Sequence, residues 1–219
     1  MRGMGKIVVI AGPQSAGKTT ATNFLANKYK DKVKFYDEMN QYKLFPEKTK
    51  LGGVVVDEEM ERAIHEADIK RTRKIVKEEE KALIETAMFH LVYHEKLIGR
   101  EFYELADREY REVFEGVSLK VIFIDTKPEV SFRRRKPVYE ARIEREIKEK
   151  GWVGEAASEF RKMMLEKYKR RMEENYPGWR RVYEEIDYAR EKIIIENNER
   201  SQEDFLAEVD KEFRRMMEI

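Results

Sequence analysis

The sequence predicts an α/β fold, in which a five-stranded parallel sheet carries helices on both faces. Five short apolar runs alternate with longer segments of helical periodicity. Runs that are rich in β-branched residues are typical of strands buried on both faces. Strands that alternate with helices indicate a parallel sheet with right-handed crossover connections. The predicted strands cover residues 6–11, 33–36, 81–84, 119–125 and 192–196.

Prolines predict where the regular elements are interrupted. Pro137 lies inside the charge-dense stretch 133–150, and it is expected to break a smooth helix there. Pro177 and Gly178 predict a turn within the charged helical segment 168–190. The longest connection, from about residue 39 to residue 56, is expected to be a loop over the edge of the sheet.

The composition limits the classes of protein to which the chain can belong. The 219 residues suit a single domain over residues 1–219, and 45 Lys and Arg against 44 Asp and Glu give a net charge of +1. This balance argues against a stable nucleic-acid partner. The absence of cysteine excludes disulfides and thiolate metal sites. No apolar stretch approaches the roughly 20 residues of a membrane span, so we expect a soluble, cytoplasmic protein without a membrane partner.

One motif identifies a nucleotide site. The segment GPQSAGKTT directly follows the first predicted strand, precedes an amphipathic helix, and fits the pattern GxxxxGK(S/T). In this context backbone N–H groups wrap a phosphate at the positive end of the helix. Lys18 is expected to act in catalysis by reaching the β- and γ-phosphates, and the Thr19 hydroxyl is expected to ligate Mg²⁺. The predicted nucleotide-binding residues are Gly12, Pro13, Gln14, Ser15, Ala16, Gly17, Lys18, Thr19 and Thr20.

Two other classes of protein that contain this loop, the GTPases and the remodelling ATPases, fit the sequence poorly. A GTPase would carry a guanine-reading Asn-Lys-x-Asp after a later strand, and the best candidate, Thr126 to Glu129, differs at both discriminating positions. A remodelling ATPase would need an acidic pair at the end of a strand, and Thr126 follows Asp125 where the second acid would stand. ATP is therefore the expected nucleotide.

The order of the motifs resembles the P-loop nucleoside and nucleotide kinases, the group that contains thymidylate kinase and the deoxynucleoside kinases. This resemblance implies that Asp37 or Glu38, after the second strand, lies beside a small-molecule phosphoryl acceptor. It implies that Glu85, at the end of the third strand, acts near Mg²⁺. It also implies an arginine-bearing lid at about residues 133–150, and it makes a homodimer a possible assembly.

The residue after the third-strand acid departs from the deoxynucleoside kinases. These enzymes usually carry Arg there, whereas this chain has Thr86. The pair Glu85-Thr86 is closer to the Asp-Thr of nicotinamide riboside kinase-like proteins. Two alternatives therefore stay open beside the first interpretation: a nicotinamide riboside kinase-like enzyme, and a nucleotide-dependent regulatory ATPase without a small-molecule acceptor.

The predicted lid begins with four adjacent cations. Residues 133–136 read RRRK, and further arginines follow at positions 142 and 145. Arg133 and Arg142 are the leading candidates for a catalytic arginine, because a guanidinium can bridge two phosphate oxygens. The alternative is a solvated face, in which the cations pair at helical spacing with Glu140, Glu144, Glu146 and Glu149.

The three histidines do not suggest a metal site. His65 and His94 stand among charged residues on predicted helices, so we expect them at the surface. His90 follows Glu85 closely, and it could line an acceptor pocket with Phe89 or Tyr93, although ordinary core packing explains these residues equally well.

Overall fold

The computed structural model describes residues 5–49 and 56–219, and it confirms the predicted fold class. The described strands are β1 (Lys6–Ala11), β2 (Lys34–Tyr36), β3 (Lys81–Glu85), β4 (Ser118–Asp125) and β5 (Glu191–Glu196). They form one sheet in the order β2-β3-β1-β4-β5, and all neighbouring pairs are parallel. All five strands therefore end at the same edge, with β1 in the centre.

Helices occupy most of the remaining described chain. Their bounds are α1 (Lys18–Lys28), α2 (Gln41–Leu44), α3 (Pro46–Thr49), α4 (Glu58–Glu78), α5 (Leu91–Leu97), α6 (Arg100–Val113), α7 (Pro128–Lys150), α8 (Gly154–Glu185) and α9 (Gln202–Met217), with a 3₁₀ turn at Ala87–His90. Among the described helices, none combines the length and the apolar character that a membrane span requires.

Two hydrophobic cores cover the two faces of the sheet. Alternate side chains of β1 enter different cores, with Ile7 and Val9 on one face and Val8 and Ile10 on the other. Helices α4, α5, α6 and α8 pack on the first face, and α1 and α9 pack on the second. Burial on both faces explains why β1 is a continuous apolar run instead of an alternating one.

The predicted interruption at Pro137 is wrong, because α7 runs without a break from Pro128 to Lys150. A proline inside a helix costs about 3 kcal/mol, since it lacks an N–H donor and crowds the preceding turn. Burial of Tyr139, Ile143 and Ile147 on the opposite side of α7 offsets this cost, and Pro137 itself is exposed to solvent.

The predicted turn at Pro177-Gly178 is also wrong, because α8 continues through both residues to Glu185. Trp179 and Val182 follow directly and are buried in the core, which holds this end of the helix in place. A Cβ atom on Gly178 would lie 3.1 Å from Cγ1 of Val92. Gly178 therefore allows α8 to approach α5 closely.

The predicted loop between residues 39 and 56 contains two short helices, α2 and α3. The side chain of Asn40 accepts a hydrogen bond from the backbone N–H of Tyr42 and caps α2. Residues 50–55 of the predicted loop lie outside the described residues. Helix α2 places Tyr42 opposite the phosphate-binding segment.

Helices α7 and α8 pack along each other as an antiparallel pair. They share a small core of their own, formed by Ile143, Ile147 and Ala157 with aromatic neighbours such as Trp152 and Phe160. The predicted lid segment thus lies in a helical hairpin that contacts the rest of the molecule near the end of β1.

Candidate active site

Gly12 fixes the start of the phosphate-binding segment. It follows β1 and has a φ angle of +148°, which favours glycine. A Cβ atom at this position would lie 2.2 Å from the carbonyl oxygen of Ile124 in β4. Because that oxygen belongs to a central strand and cannot move aside, only glycine fits here.

Gly17 fixes the other end of the segment, where α1 begins. Its φ angle is +105°, and an added Cβ atom would lie 2.8 Å from Nδ2 of Asn197. This amide nitrogen donates a hydrogen bond of 2.7 Å to the carbonyl oxygen of Ala16. The side chain of Asn197, directly after β5, thus supports the segment from behind.

Lys18 is buried at the centre of the loop. Its Nζ donates hydrogen bonds to the carbonyl oxygens of Gly12 at 2.8 Å and Pro13 at 3.2 Å. Burial lowers the pKa of the ammonium group, and the nearby carboxylates of Glu38 and Glu85 act in the opposite direction. The Lys18 ammonium group therefore lies inside the loop, where it can bind a phosphate group that enters.

The two residues that were predicted to act at Mg²⁺ lie in contact. The Thr19 hydroxyl donates a hydrogen bond of 2.8 Å to Oε1 of Glu85, and the Thr22 hydroxyl donates one of 3.0 Å to Oε2. Burial raises the pKa of Glu85, whereas the bond from Thr19 and the charge of Lys18 lower it. The parallel pairing of β1 with β3 brings this carboxyl group to the start of α1.

This pair fits a magnesium ion that is carried by a nucleotide. Mg²⁺ in such sites takes one or two protein oxygens, and phosphates and water complete its octahedron. Within residues 5–49 and 56–219, no cluster of three or more metal-ligating side chains occurs. A hydroxyl and a carboxylate beside the phosphate loop therefore agree with a Mg²⁺ ion that binds together with the nucleotide. They do not form a site in which the protein supplies all the ligands.

Replacement of Glu85 by Gln tests this assignment. The amide keeps the size of the side chain but removes its negative charge, so we expect the Mg²⁺ concentration for half-maximal turnover to rise about 10-fold or more. Titration of activity with Mg²⁺ measures the change. Glu80→Gln, an exposed position just before β3, is the matched control and should behave like the parent. Equal Mg²⁺ requirements in both variants would contradict the assignment.

A cavity of about 290 Å³ extends from the phosphate loop toward α4 and α5. Its lining combines cations and carboxylates with aromatic rings. The charged members are Lys18, Glu38, Glu61, Glu85, Arg135, Arg142 and Arg171, and the aromatic members include Tyr93, Tyr139, Tyr168 and Trp179. The mixture suits a ligand that carries both phosphate groups and a flat or polar body.

The structure separates the two acids that follow β2. Glu38 lines the cavity. The side chain of Asp37 is 63% exposed and forms an ion pair of 2.5 Å with Nζ of Lys43. Of the two predicted acceptor-side acids, only Glu38 lies where a ligand in the cavity can reach it.

The lid arginines divide in the same way. Arg133 is exposed and outside the cavity, whereas Arg142 lines it. Arg135 lines the cavity too, and its buried Nε has no hydrogen-bond partner in the part of the chain that the structure describes. Within these same residues, Arg135, Arg142 and Arg171 form no ion pair, so their charges are available to an anion.

Arg134 instead donates a hydrogen bond of 3.2 Å to the carbonyl oxygen of Asn198.

Aromatic contacts hold α7 against the phosphate loop. The Tyr139 hydroxyl donates a hydrogen bond of 3.1 Å to Oε1 of Gln14. The Tyr139 ring stacks on Tyr168 of α8, with centroids 4.1 Å apart and an interplanar angle of 4°. Part of the solvated-face alternative also holds, because Lys136 pairs with Glu140 on the outer side of α7. The helix therefore has one face toward the cavity and one toward solvent.

The prediction that His65 and His94 lie at the surface is wrong. Their side chains are 3% and 0% exposed. They are buried because each finds a carboxylate partner on a neighbouring helix, Glu109 for His65 and Glu61 for His94. His90 does line the cavity, as one of the two predicted alternatives had it.

Arg135, Tyr139, Arg171 and Glu61 line the cavity but were not among the candidates from the sequence. Arg135 and Tyr139 are spaced by four residues and lie on the same face of α7 as the predicted Arg142. This spacing would have identified Arg135 if Pro137 had not been taken as a helix break. Arg171 follows Tyr168 by three residues, and the same rule applies to it. No local signal marks Glu61, whose partners lie on α5.

The fold and the loop together define a structural class: an α/β fold with a five-stranded parallel sheet, in which a phosphate-binding loop follows the central strand β1, between β3 and β4. The Bacillus subtilis YorR protein in complex with phosphorylated GDP is similar, with a TM-score of 0.54, 12% identity and 95% of each chain covered. The tRNA isopentenylpyrophosphate transferase of Bacillus halodurans is similar, with a TM-score of 0.55, 11% identity and 97% of each chain covered. No family model and no curated protein sequence matches the chain. At these identities the similarity concerns the fold alone.

Proposed function

We propose that the protein is an ATP- and Mg²⁺-dependent phosphotransferase that acts on a nucleoside, a nucleotide or a related small molecule. The observation that carries this proposal is one cavity with two different ends. At one end stand the phosphate loop, Lys18 and the pair of Thr19 and Glu85. Glu38 lies near Lys18, and the cavity extends from there to Glu61 and Tyr93, the end that we assign to the acceptor.

The residues of the loop would hold ATP, with backbone N–H groups and Lys18 on its phosphates. Mg²⁺, held by Thr19 and Glu85, would supply positive charge to the phosphate oxygens. Phosphoryl transfer needs mainly positioning and charge neutralisation from the protein. Arg135 and Arg142 face the cavity with unpaired charges and can neutralise the transferred group.

Glu38 serves the acceptor in this mechanism. If the acceptor is a hydroxyl, the carboxylate orients it and takes its proton as the new O–P bond forms and the bond between the γ-phosphorus and the bridging oxygen of ADP breaks. If the acceptor is itself a phosphate, no base is needed, and Glu38 binds a sugar hydroxyl instead. The carboxylate thus has a defined task for either acceptor.

The regulatory-ATPase alternative receives less support from the site. If such an ATPase used an acid at the end of β4, as a remodelling ATPase would, that acid would be Asp125. Asp125 accepts hydrogen bonds from the Tyr176 hydroxyl at 2.9 Å and from Arg180 at 3.1 Å. The nicotinamide riboside kinase-like alternative differs only in the acceptor, and the same cavity serves it.

Turnover of ATP against a panel of acceptors tests the proposal. The panel consists of the deoxynucleosides, their 5′-monophosphates and nicotinamide riboside, each with Mg²⁺. We expect at least one acceptor to stimulate ATP consumption. Turnover that is indifferent to every acceptor would favour the regulatory ATPase over the kinase.

Replacement of Glu38 by Gln should separate acceptor chemistry from ATP binding. We expect acceptor-dependent kcat to fall about 10²-fold or more, because the amide cannot take a proton, while the affinity for ATP stays the same. Asp37→Asn is the matched control, since Asp37 points to Lys43, and it should stay within a few-fold of the parent. With a hydroxyl acceptor, equal kcat for Glu38→Gln and the parent would remove Glu38 from the mechanism. With a phosphate acceptor we expect a raised acceptor KM instead, and an unchanged KM would have the same consequence.

A further inference from the structure

Four ionisable side chains form a continuous hydrogen-bonded chain from the cavity to the protein surface. Oε1 of Glu61 lies 2.9 Å from Nδ1 of His94, and Nε2 of His94 lies 3.1 Å from Nδ1 of His65. Nε2 of His65 lies 2.6 Å from Oε2 of Glu109. Glu61 lines the cavity, whereas the side chain of Glu109 is 33% exposed. We call these residues the histidine chain.

The geometry of the histidine chain determines how many protons it holds. Each of its three contacts needs one proton between the two facing atoms. Two neutral imidazoles supply two protons, and two carboxylates supply none. With only two protons, one contact would bring two lone pairs face to face. The complete chain therefore contains a third proton.

The third proton belongs at the end of the chain near solvent. Burial lowers the pKa of His94, although the hydrogen bond to Glu61 acts in the opposite direction. When Glu61 is ionised, a neutral His94 donates from Nδ1 to Glu61 and accepts at Nε2 from His65. His65 must donate from both ring nitrogens, so the extra proton lies between His65 and Glu109.

Other ionisable groups face the chain from α4, α5 and α6. Beside Glu61, Tyr93 lines the cavity; burial raises the pKa of its phenol, and the charge of Glu61 contributes to the shift. The His90 ring stacks on His94 with centroids 6.5 Å apart. Tyr110 contacts the edge of the His65 ring, and its hydroxyl donates to the buried carboxylate of Asp68. On the solvent side, the guanidinium of Arg62 lies over the ring of Phe102, which packs against both imidazoles. None of these groups replaces a member of the chain.

Loss of the third proton would leave one contact of the chain without a proton. A neutral His65 keeps its proton on Nε2, because that atom faces a carboxylate at 2.6 Å. Nδ1 of His65 then becomes an acceptor, and the one proton of His94 can satisfy Glu61 or His65 but not both. Either Glu61 loses its donor, or His94 loses the contact with His65 that holds it in place behind Glu61. Deprotonation at the surface thus loosens the chain at its cavity end.

We propose that Glu61 binds a hydroxyl or amino group of the phosphoryl acceptor, and that the proton shared by His65 and Glu109 keeps Glu61 oriented for this task. This inference rests on the proposed function, since it assigns Glu61 to the acceptor of that reaction. Acceptor binding should weaken as pH rises and the third proton is lost. Glu61 is an acceptor-binding residue in this account, and the other three members of the chain are positioning residues.

Replacement of Glu109 by Gln offers a specific test, because the amide can donate to Nε2 of His65. The variant supplies the third hydrogen bond without a third ionisable proton. Each of the three contacts then has one proton while both imidazoles are neutral. The hydrogen bonds of the chain should therefore no longer change with pH. A residue that mattered only for packing would not produce this effect. Glu112→Gln, an exposed position on the same face of α6, is the matched control.

Imidazole ¹⁵N NMR of the ligand-free protein measures the protonation states without any enzymatic activity. The chain has three histidines, so single replacements can assign all signals. At neutral pH we expect a doubly protonated His65 and a neutral His94 with its proton on Nδ1, in the parent and in Glu112→Gln. In Glu109→Gln we expect His65 to be neutral. A neutral His65 in the parent would overturn the proton count, whether or not the variant folds.

Kinetics test the role of Glu61 with whichever of the four deoxynucleosides and their 5′-monophosphates is phosphorylated fastest. In Glu61→Gln we expect the KM for that acceptor to rise about 10-fold or more with little change in kcat, because a hydrogen bond to a charged group is lost. The amide oxygen can still accept from His94, so the fold is retained. The acceptor KM of the parent should rise at alkaline pH, and that of Glu109→Gln should not.

The outcomes separate this inference from the proposed function. An unchanged acceptor KM in Glu61→Gln, or the same alkaline rise in Glu109→Gln as in the parent, would overturn the role of Glu61. If no compound of the panel is phosphorylated, the proposed function fails, and the assignment of Glu61 to its acceptor fails with it. The NMR result still decides whether the histidine chain holds the third proton.

Discussion

Replacement of Lys18 by Ala should lower kcat by at least about 10²-fold, because it removes a buried positive charge from the transferring phosphate. The ammonium group sits on the carbonyl oxygens of Gly12 and Pro13, at the mouth of the cavity. Since burial lowers its pKa, the folded protein gains little from this charge, and the variant should remain folded. Steady-state kinetics at saturating ATP and acceptor, with circular dichroism, measure both properties.

Lys30→Ala provides the control for this experiment. Lys30 follows α1 closely and is exposed, so its removal should leave kcat unchanged. Near-normal phosphoryl transfer by Lys18→Ala would contradict the assignment of the loop as the catalytic nucleotide site.

Alanine replacement of Arg142 or Arg135 should reduce kcat about 10³-fold, if the guanidinium acts on the transferred group in the transition state. Arg142 was a leading candidate from the sequence, and the cavity adds Arg135. Single-turnover experiments measure the rate of the chemical step, and a product burst with excess substrate shows whether release limits turnover. We expect chemistry to be slowed, because both arginines face the cavity.

Arg133→Ala is the matched control, although Arg133 was the other leading candidate from the sequence. Its side chain is exposed on the outer side of α7, so we now expect this variant to keep kcat within a few-fold of the parent. A large loss in Arg133→Ala, with normal activity in the other two variants, would mean that α7 turns a different face to the nucleotide.

The parts of the molecule that depend on local sequence were predictable. Apolar β-branched runs define strands wherever a sheet is covered on both faces, and all five were found within about two residues. The phosphate loop is a contiguous motif, and Gly12 and Gly17 have the positive φ angles that its turns require. Contact between Thr19 and Glu85 follows from the parallel pairing of β3 with β1, since β1 leads through the phosphate loop into α1.

The parts that depend on packing between distant segments were not predictable. Pro137 and Pro177 lie within helices because tertiary contacts exceed the local cost of a proline. His65 and Glu109 are 44 positions apart, and their pairing requires α4 and α6 to be adjacent. A histidine among charged neighbours in the sequence is expected at the surface. Its burial can be explained only when the carboxylate that pairs with it in the folded structure is known.

The transfer of a labelled γ-phosphoryl group tests the central claim most directly. The protein is incubated with Mg²⁺, with ATP that carries ¹⁸O in the γ-phosphoryl group, and with the acceptor that stimulates turnover best. Mass spectrometry then locates the label. The account predicts labelled phosphate on the acceptor, in an amount equal to the ADP formed, and none above background with Lys18→Ala. Label that appears only in inorganic phosphate would contradict it.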